Sequence, residues 1–119
     1  MKFSSEFMEI VNDARGRVNE VSVEESQEKV AGGANLIDVR EDNEWEAGHA
    51  KGALHLARGI IERDIVDRFP DKAAELVLYC GIGYRSALSA DVLQKMGYTN
   101  VFSMDGGWKA WNDAGGEVE

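Results

Sequence analysis

The chain has 119 residues, the size of one domain with a single substantial hydrophobic core. With 44% apolar and 29% charged residues its composition is that of an ordinary globular protein, and no apolar run approaches the length of a bilayer span, so no membrane segment is expected. A formal charge of -9 argues against nonspecific binding to nucleic acid or anionic lipid, so any anion site must be built locally from backbone amides and nearby arginines.

Phe7, Met8, Ile10, Val11 and Ala14 recur at helical spacing after Ser4 and Ser5, predicting an amphipathic helix from Phe3 to Ala14. The start "MKFSSEFMEIVNDARG" mixes acids with apolar residues and lacks a secretory signal's uninterrupted apolar segment, so a cytoplasmic location is expected. A short strand "VNEVS" follows. Ser22 and Glu25 then have the spacing of a capping box, opening a helix that Gly32 and Gly33 stop. In "NLIDVR", Leu36, Ile37 and Val39 make a nearly continuous apolar strand, as in a parallel sheet covered on both faces. A helical turn around "EDNEWEAG" leads to a third strand in "HAKGALHLA". Ile60, Ile61, Ile65 and Phe69 share one helical stripe that Pro70 ends. "ELVLYC" is the fourth strand. Leu88, Val92, Leu93 and Met96 form the stripe of the clearest helix, closed by Gly97, before the strand "NVFSM" and a last short helix in "GGWKAWNDAGG". Strands alternating with helices through short loops predict an α/β domain with a mainly parallel sheet. Ligands of such sheets bind beyond the carboxyl ends of the strands, which singles out Asp38–Arg40, Cys80–Ser86 and Met104–Gly107.

Cys80 is the only cysteine, which rules out an internal disulfide, and a lone thiol with two distant histidines is a poor basis for zinc. No metal and no cofactor are expected. The thiol stands between an apolar strand and the start of a helix near Arg85 or Ser86, in a loop of Cys80, Gly81, Ile82, Gly83 and Tyr84. Gly81 and Gly83 can take positive φ, turning successive N–H groups inward as an anion-binding nest, and the helix N-terminus adds partial positive charge. Amides and a helix dipole stabilise the thiolate, so Cys80 is expected to be nucleophilic at neutral pH. Arg85 offers a planar fork suited to an oxyanion. The bland alternative, Cys80 as core filler and Arg85 as a surface charge, leaves the two glycines and the marked helix start unexplained.

These segments resemble the rhodanese-like sulfurtransferases in their single-domain form. "LIDVREDNEWEAGHAKGALHL" is similar to the first signature of that family, and "LYCGIGYRSALSADVLQKMGYTNVFSMDGGWKAW" to its catalytic loop, following helix and closing Gly-Gly-Trp segment. The likeness runs from about Glu20 to Gly116. The resemblance implies a three-layer α/β/α fold around a five-stranded, mainly parallel sheet, with residues 1–19 as a helical extension packed on a rhodanese-like domain of residues 20–119. It also implies transfer of a sulfane sulfur from a donor such as thiosulfate to cyanide or a thiol through a Cys80 persulfide, held by the loop Gly81, Ile82, Gly83, Tyr84, Arg85 and Ser86. The expected partners are a small sulfur-containing anion and a thiol acceptor, a protein sulfur carrier being compatible with either role. A monomer is the default for a small acidic domain.

Two other functions fit parts of the pattern. Cysteine-dependent phosphatases of the same fold class carry a Cys-x5-Arg loop, whereas four residues separate Cys80 from Arg85 here, a cup better suited to one sulfur than to a phosphoryl group. A regulatory or sulfur-relay module would act through a protein partner, and an inert module usually lacks the cysteine. Asp38 and Arg40, at the end of a buried strand, are expected to pair and to prop the first signature loop. His49 is expected to anchor its turn by hydrogen bonds, His55 to be an ordinary strand-end residue, and Arg58 to pair with Glu62. Trp45, Trp108 and Trp111 are expected to pack on the core, Trp108 having the further option of lining the pocket.

Overall fold

The structure, a computed structural model, describes residues 2–119. In chain order the elements are α1 (Ser5–Arg15), β1 (Asn19–Val21), α2 (Val23–Ala31), β2 (Asn35–Asp38), α3 (Asp42–Ala47), β3 (Leu54–His55), α4 (Ile61–Arg68), β4 (Leu76–Tyr79), α5 (Tyr84–Lys95), β5 (Val101–Met104) and α6 (Gly107–Asp113). The punctuation read from sequence recurs in the caps. The Ser4 hydroxyl accepts from Phe7 N–H at the start of α1, and Ser22 and Glu25 form a reciprocal capping box at the start of α2. The chain leaves α5 through Gly97 at φ 100°, a left-handed turn that glycine adopts without a Cβ clash.

The five strands pair in the order β1-β5-β4-β2-β3, every pairing parallel. β4 is central, and each of its four residues is completely buried. Alternation sends Leu76, Leu78 and then Cys80 into one apolar layer, with Ile61 and Ile65 of α4 and Ala90 and Leu93 of α5. Val77 and Tyr79 enter the opposite layer, with Val23 of α2 and Trp111 of α6. The fold is therefore α/β with helices on both faces of a parallel sheet.

Two expectations change in extent. The third strand shrinks to Leu54 and His55 because it pairs only with β2 at the sheet edge, and Ala50 instead bridges to Val118. The single stripe predicted for α5 is too narrow. Val92 and Met96 are half-buried, while Ser86, Ala87, Leu88, Ser89, Ala90, Asp91 and Leu93 are buried. The reason is that α1 covers the outer side of α5, with Val11 and Ala14 packed on Leu88, so the helix is enclosed on two sides. Among the described residues no helix is long and apolar enough to cross a membrane.

Candidate active site

At the carboxyl end of β4 the chain leaves the sheet as Cys80 and enters α5 at Tyr84. Gly83 caps that helix at φ 105°, and a Cβ there would press within 3.3 Å of the Gly106 nitrogen. This turn aims the Gly83 N–H at the Cys80 Sγ, 3.1 Å away. The first N–H groups of α5 have no acceptor within their helix, so its positive end lies beside the sulfur. Sγ also lies 3.5 Å from the Ser86 hydroxyl, which is 2.8 Å from that of Ser103. Both serines are fully buried, so the sulfur ends a short chain of hydroxyls whose hydrogens can rotate toward it or away.

The loop is held from beneath by the start of α6. Trp108 N–H donates to the Cys80 carbonyl at 2.7 Å and Lys109 N–H to the Gly81 carbonyl at 3.1 Å. So close an approach requires glycine at position 107, where φ is 55° and a Cβ would run into the Cys80 carbonyl. Arg85 is clamped by Glu44 of α3, with Nη1–Oε1 at 2.6 Å and Nη2–Oε2 at 3.0 Å. That pairing holds the Glu44 carboxyl below its ordinary value and the Arg85 guanidinium above its own, the nearby Cys80 sulfur adding to the latter. Cys80 is only 1% exposed, yet it borders a cavity of about 390 Å³. Ile82, Tyr84, Phe3 and Phe7 form the apolar side of that cavity and Glu44 with Arg85 the polar side.

The residues expected to form one loop are thus together, with three corrections. Gly81 does not have positive φ; Gly83 alone in this loop does, and one amide rather than a ring of them contacts the sulfur. Gly81 serves a different need, since a Cβ there would come within 3.1 Å of Arg85 Nη2. Tyr84 belongs to α5 rather than to the loop, because the Gly83 turn already starts the helix. Arg85 is not an unpaired cation, because one N–H of each terminal nitrogen donates to Glu44, which leaves three of its five N–H groups outside that clamp. Glu44 escaped the sequence reading; its one signal was that a half-buried arginine requires a counter-charge.

Asp38 and Arg40 pair as expected and are 0% and 3% exposed. Arg40 Nη2 reaches Asp38 Oδ2 at 2.8 Å and the Gly48 carbonyl at 2.7 Å, tying the first signature loop to the end of β2. Burial disfavours the guanidinium charge, but the Asp38 carboxylate outweighs it and raises Arg40 above its ordinary value. The Arg40 guanidinium also lies 4.6 Å from the Trp108 ring centre. Trp108 therefore buttresses that pair and is not among the cavity residues. His49 Nδ1 is 3.1 Å from the Trp45 carbonyl, and its backbone exchanges two hydrogen bonds with Glu119. Trp45 packs against the core layer that holds Val77 and Tyr79, as expected, and also stacks on His49 and His55, while His55 Nε2 contacts the Arg40 carbonyl at 2.8 Å. Among the described residues no ion pair joins Arg58 to Glu62; the Arg58 N–H instead bonds the Val39 carbonyl. No group of three or more His, Cys, Asp or Glu side chains among them is arranged to hold a metal ion.

Comparison with known proteins agrees with this arrangement. The uncharacterised protein YqhL of Bacillus subtilis is 37% identical over 86 residues, covering 72% of this chain and 64% of YqhL, so the chain spans less than two thirds of that relative. A structure from Rhodopseudomonas palustris, described as a protein of unknown function and possible tyrosine phosphatase, superimposes with a TM-score of 0.84 at 26% identity, over 100% of this chain and 98% of the other. The polysulfide-sulfur transferase of Wolinella succinogenes, a homodimer, gives a TM-score of 0.83 at 24% identity over 99% and 90% of the two chains, a likeness of fold. Residues 22–114 match the family described as the Rhodanese-like domain, a span that takes in the Asp38–Arg40 pair, the Cys80 turn and the Gly107 contact beneath it, and the chain belongs to that family.

Proposed function

We propose that the protein is a sulfurtransferase that carries a sulfane sulfur as a persulfide on Cys80. The observation that carries this proposal is the Gly83 N–H aimed at Sγ from the head of α5, a donor placed to hold a sulfur that carries a second sulfur. The Cys80 thiolate attacks the outer sulfur of a donor such as thiosulfate. A bond forms between Sγ and that sulfur, the donor's own S–S bond breaks, and sulfite leaves with the electron pair. A thiophilic acceptor, cyanide or a thiol, then attacks the terminal sulfur and restores the Cys80 thiolate. No general base is needed. With the thiol protonated the Ser86 hydroxyl accepts from it; with the thiolate the same hydroxyl turns to donate, and Ser103 supplies the compensating bond.

Arg85 contributes by its clamp with Glu44, which fixes α3 against the first turn of α5, rather than by gripping the donor. A protein sulfur carrier as donor or acceptor remains consistent with the same chemistry.

Similarity to the possible tyrosine phosphatase raises a second reading, cysteine-dependent hydrolysis of a phosphate ester. The four-residue Cys80–Arg85 separation and the arginine already held by Glu44 speak against it, since a phosphoryl group needs donors for three equatorial oxygens. Thiocyanate formation from thiosulfate and cyanide is expected for the wild-type chain and is expected to be abolished in Cys80→Ser. Hydrolysis of an aryl phosphate by the wild type, without thiocyanate formation, would favour the phosphatase instead.

A further inference from the structure

The cavity over Cys80 is unlike an inorganic-anion site in two respects. Its only cation among the described residues is Arg85, whose charge is matched by Glu44 at 2.6 and 3.0 Å, so a dianion entering it meets no unpaired positive side chain. Its other side is apolar and is largely supplied by the N-terminal segment. Phe3 lies 5.3 Å from the Tyr84 ring, edge to face, and 5.5 Å from Phe7, and the three rings form a continuous wall. Ile82, two residues from the thiol, is 39% exposed and belongs to none of the core clusters, so core packing does not explain it. The volume of about 390 Å³ falls within the range of pockets that bury organic ligands.

Building on the sulfur-transfer proposal, we propose that Phe3 and Phe7 form an apolar subsite that selects sulfur donors bearing an organic arm, such as an aromatic thiosulfonate or an organic persulfide, over small inorganic ones. The arm rests against Phe3, Phe7 and Ile82 while the terminal sulfur faces Cys80. With a thiosulfonate, Sγ bonds to the terminal sulfur, the bond from that sulfur to the sulfonyl sulfur breaks, and the sulfinate departs with the pair. Electrons and atoms balance without an added oxidant or reductant.

Methanethiosulfonate and benzenethiosulfonate share the reacting sulfur and a single negative charge and differ only in the arm. The experiment measures kcat/KM for both, with cyanide as acceptor, in the wild type, in Phe3→Ala and in Phe3→Ala/Phe7→Ala. The preference for the benzene compound is expected to fall by about tenfold in the variants, and intrinsic donor reactivity cancels in that ratio of ratios. Phe3 precedes α1, so Phe3→Ala leaves the helix intact even where the double variant loosens it. A purely structural role for the rings would lower both rates together and leave the preference unchanged, which would overturn the subsite.

A binding measurement separates this proposal from the one beneath it. Benzenesulfinate is expected to bind Cys80→Ser saturably and about tenfold more weakly once Phe3→Ala is added. Binding that depends on Phe3, with neither thiosulfonate nor thiosulfate consumed by the wild type, would refute sulfur transfer and leave the subsite standing. Transfer with an unchanged preference and no Phe3-dependent binding would refute the subsite and leave sulfur transfer standing.

Discussion

A single amide and two glycines decide how Cys80 is presented. Gly83 turns its N–H onto the sulfur, and Gly107 admits the Cys80 carbonyl to the amide of Trp108. Gly107→Ala forces a Cβ into backbone that cannot yield, so the loop must move. We expect a loss of about 1–3 kcal/mol in stability and a fall of roughly a hundredfold in sulfur transfer, since small misplacements at a reacting centre are costly. Gly33→Ala is the matched control: φ is 109°, but nothing lies within 4 Å of the added Cβ. It should lose stability from backbone strain alone, by chemical denaturation, and keep its transfer rate; equal loss of activity in both variants would contradict the account. The thiol, Gly81, Gly83 and Arg85 were legible at this scale because the one cysteine of the chain stands in a short run with them. Glu44 was not, because it comes from 41 residues earlier in the chain and a pairing partner leaves no local pattern.

Between elements, the contact that matters most for the candidate site is α1 on α5. Val11 and Ala14 meet Leu88, and Arg17, just beyond α1, reaches Asp91 of α5 at 2.7 and 2.9 Å as well as Asp13 at 2.8 Å. Hydrogen bonding to Arg17 holds the Asp91 carboxyl below its ordinary value of 3.8, with Lys95 adding to the effect at 3.6 Å. A lowered folded value means that the contribution to stability is complete above 3.8 and disappears as pH falls through the lower folded value. Arg17→Ala should therefore destabilise the protein near neutrality, and the difference from wild type should shrink on acidification below 3.8 in denaturation curves recorded across that range. A difference that stays constant with pH would show that the ion pair is not its source. Periodicity located both helices but gave no sign of their mutual packing, because a helix enclosed on two sides, with Ser and Ala at its close contacts, shows a diluted stripe. Phe3 lay outside the predicted apolar face of α1 because it precedes the Ser4 N-cap, where helical periodicity does not apply, although it forms part of the cavity wall.

Across the whole molecule, the order β1-β5-β4-β2-β3 makes β4 the middle strand, and its carboxyl end is the point on which β2, β5, α3, α5 and α6 converge. Burial on both faces makes β4 a run of apolar residues in the sequence, and that run followed by Cys-Gly-x-Gly identified both the strand and its functional end. The edge strand β3 was overextended because an apolar segment beside a sheet reads the same whether or not its backbone finds a partner. The central claim is that the sulfur at this convergence accepts a second sulfur and gives it up. Its most direct measurement is the intact mass of the wild-type chain and of Cys80→Ser after incubation with thiosulfate, before and after cyanide. The wild type should gain the mass of one sulfur atom and lose it to cyanide, and Cys80→Ser should gain nothing. An unchanged wild-type mass with thiosulfate and with both thiosulfonates, or an equal gain in Cys80→Ser, would contradict it.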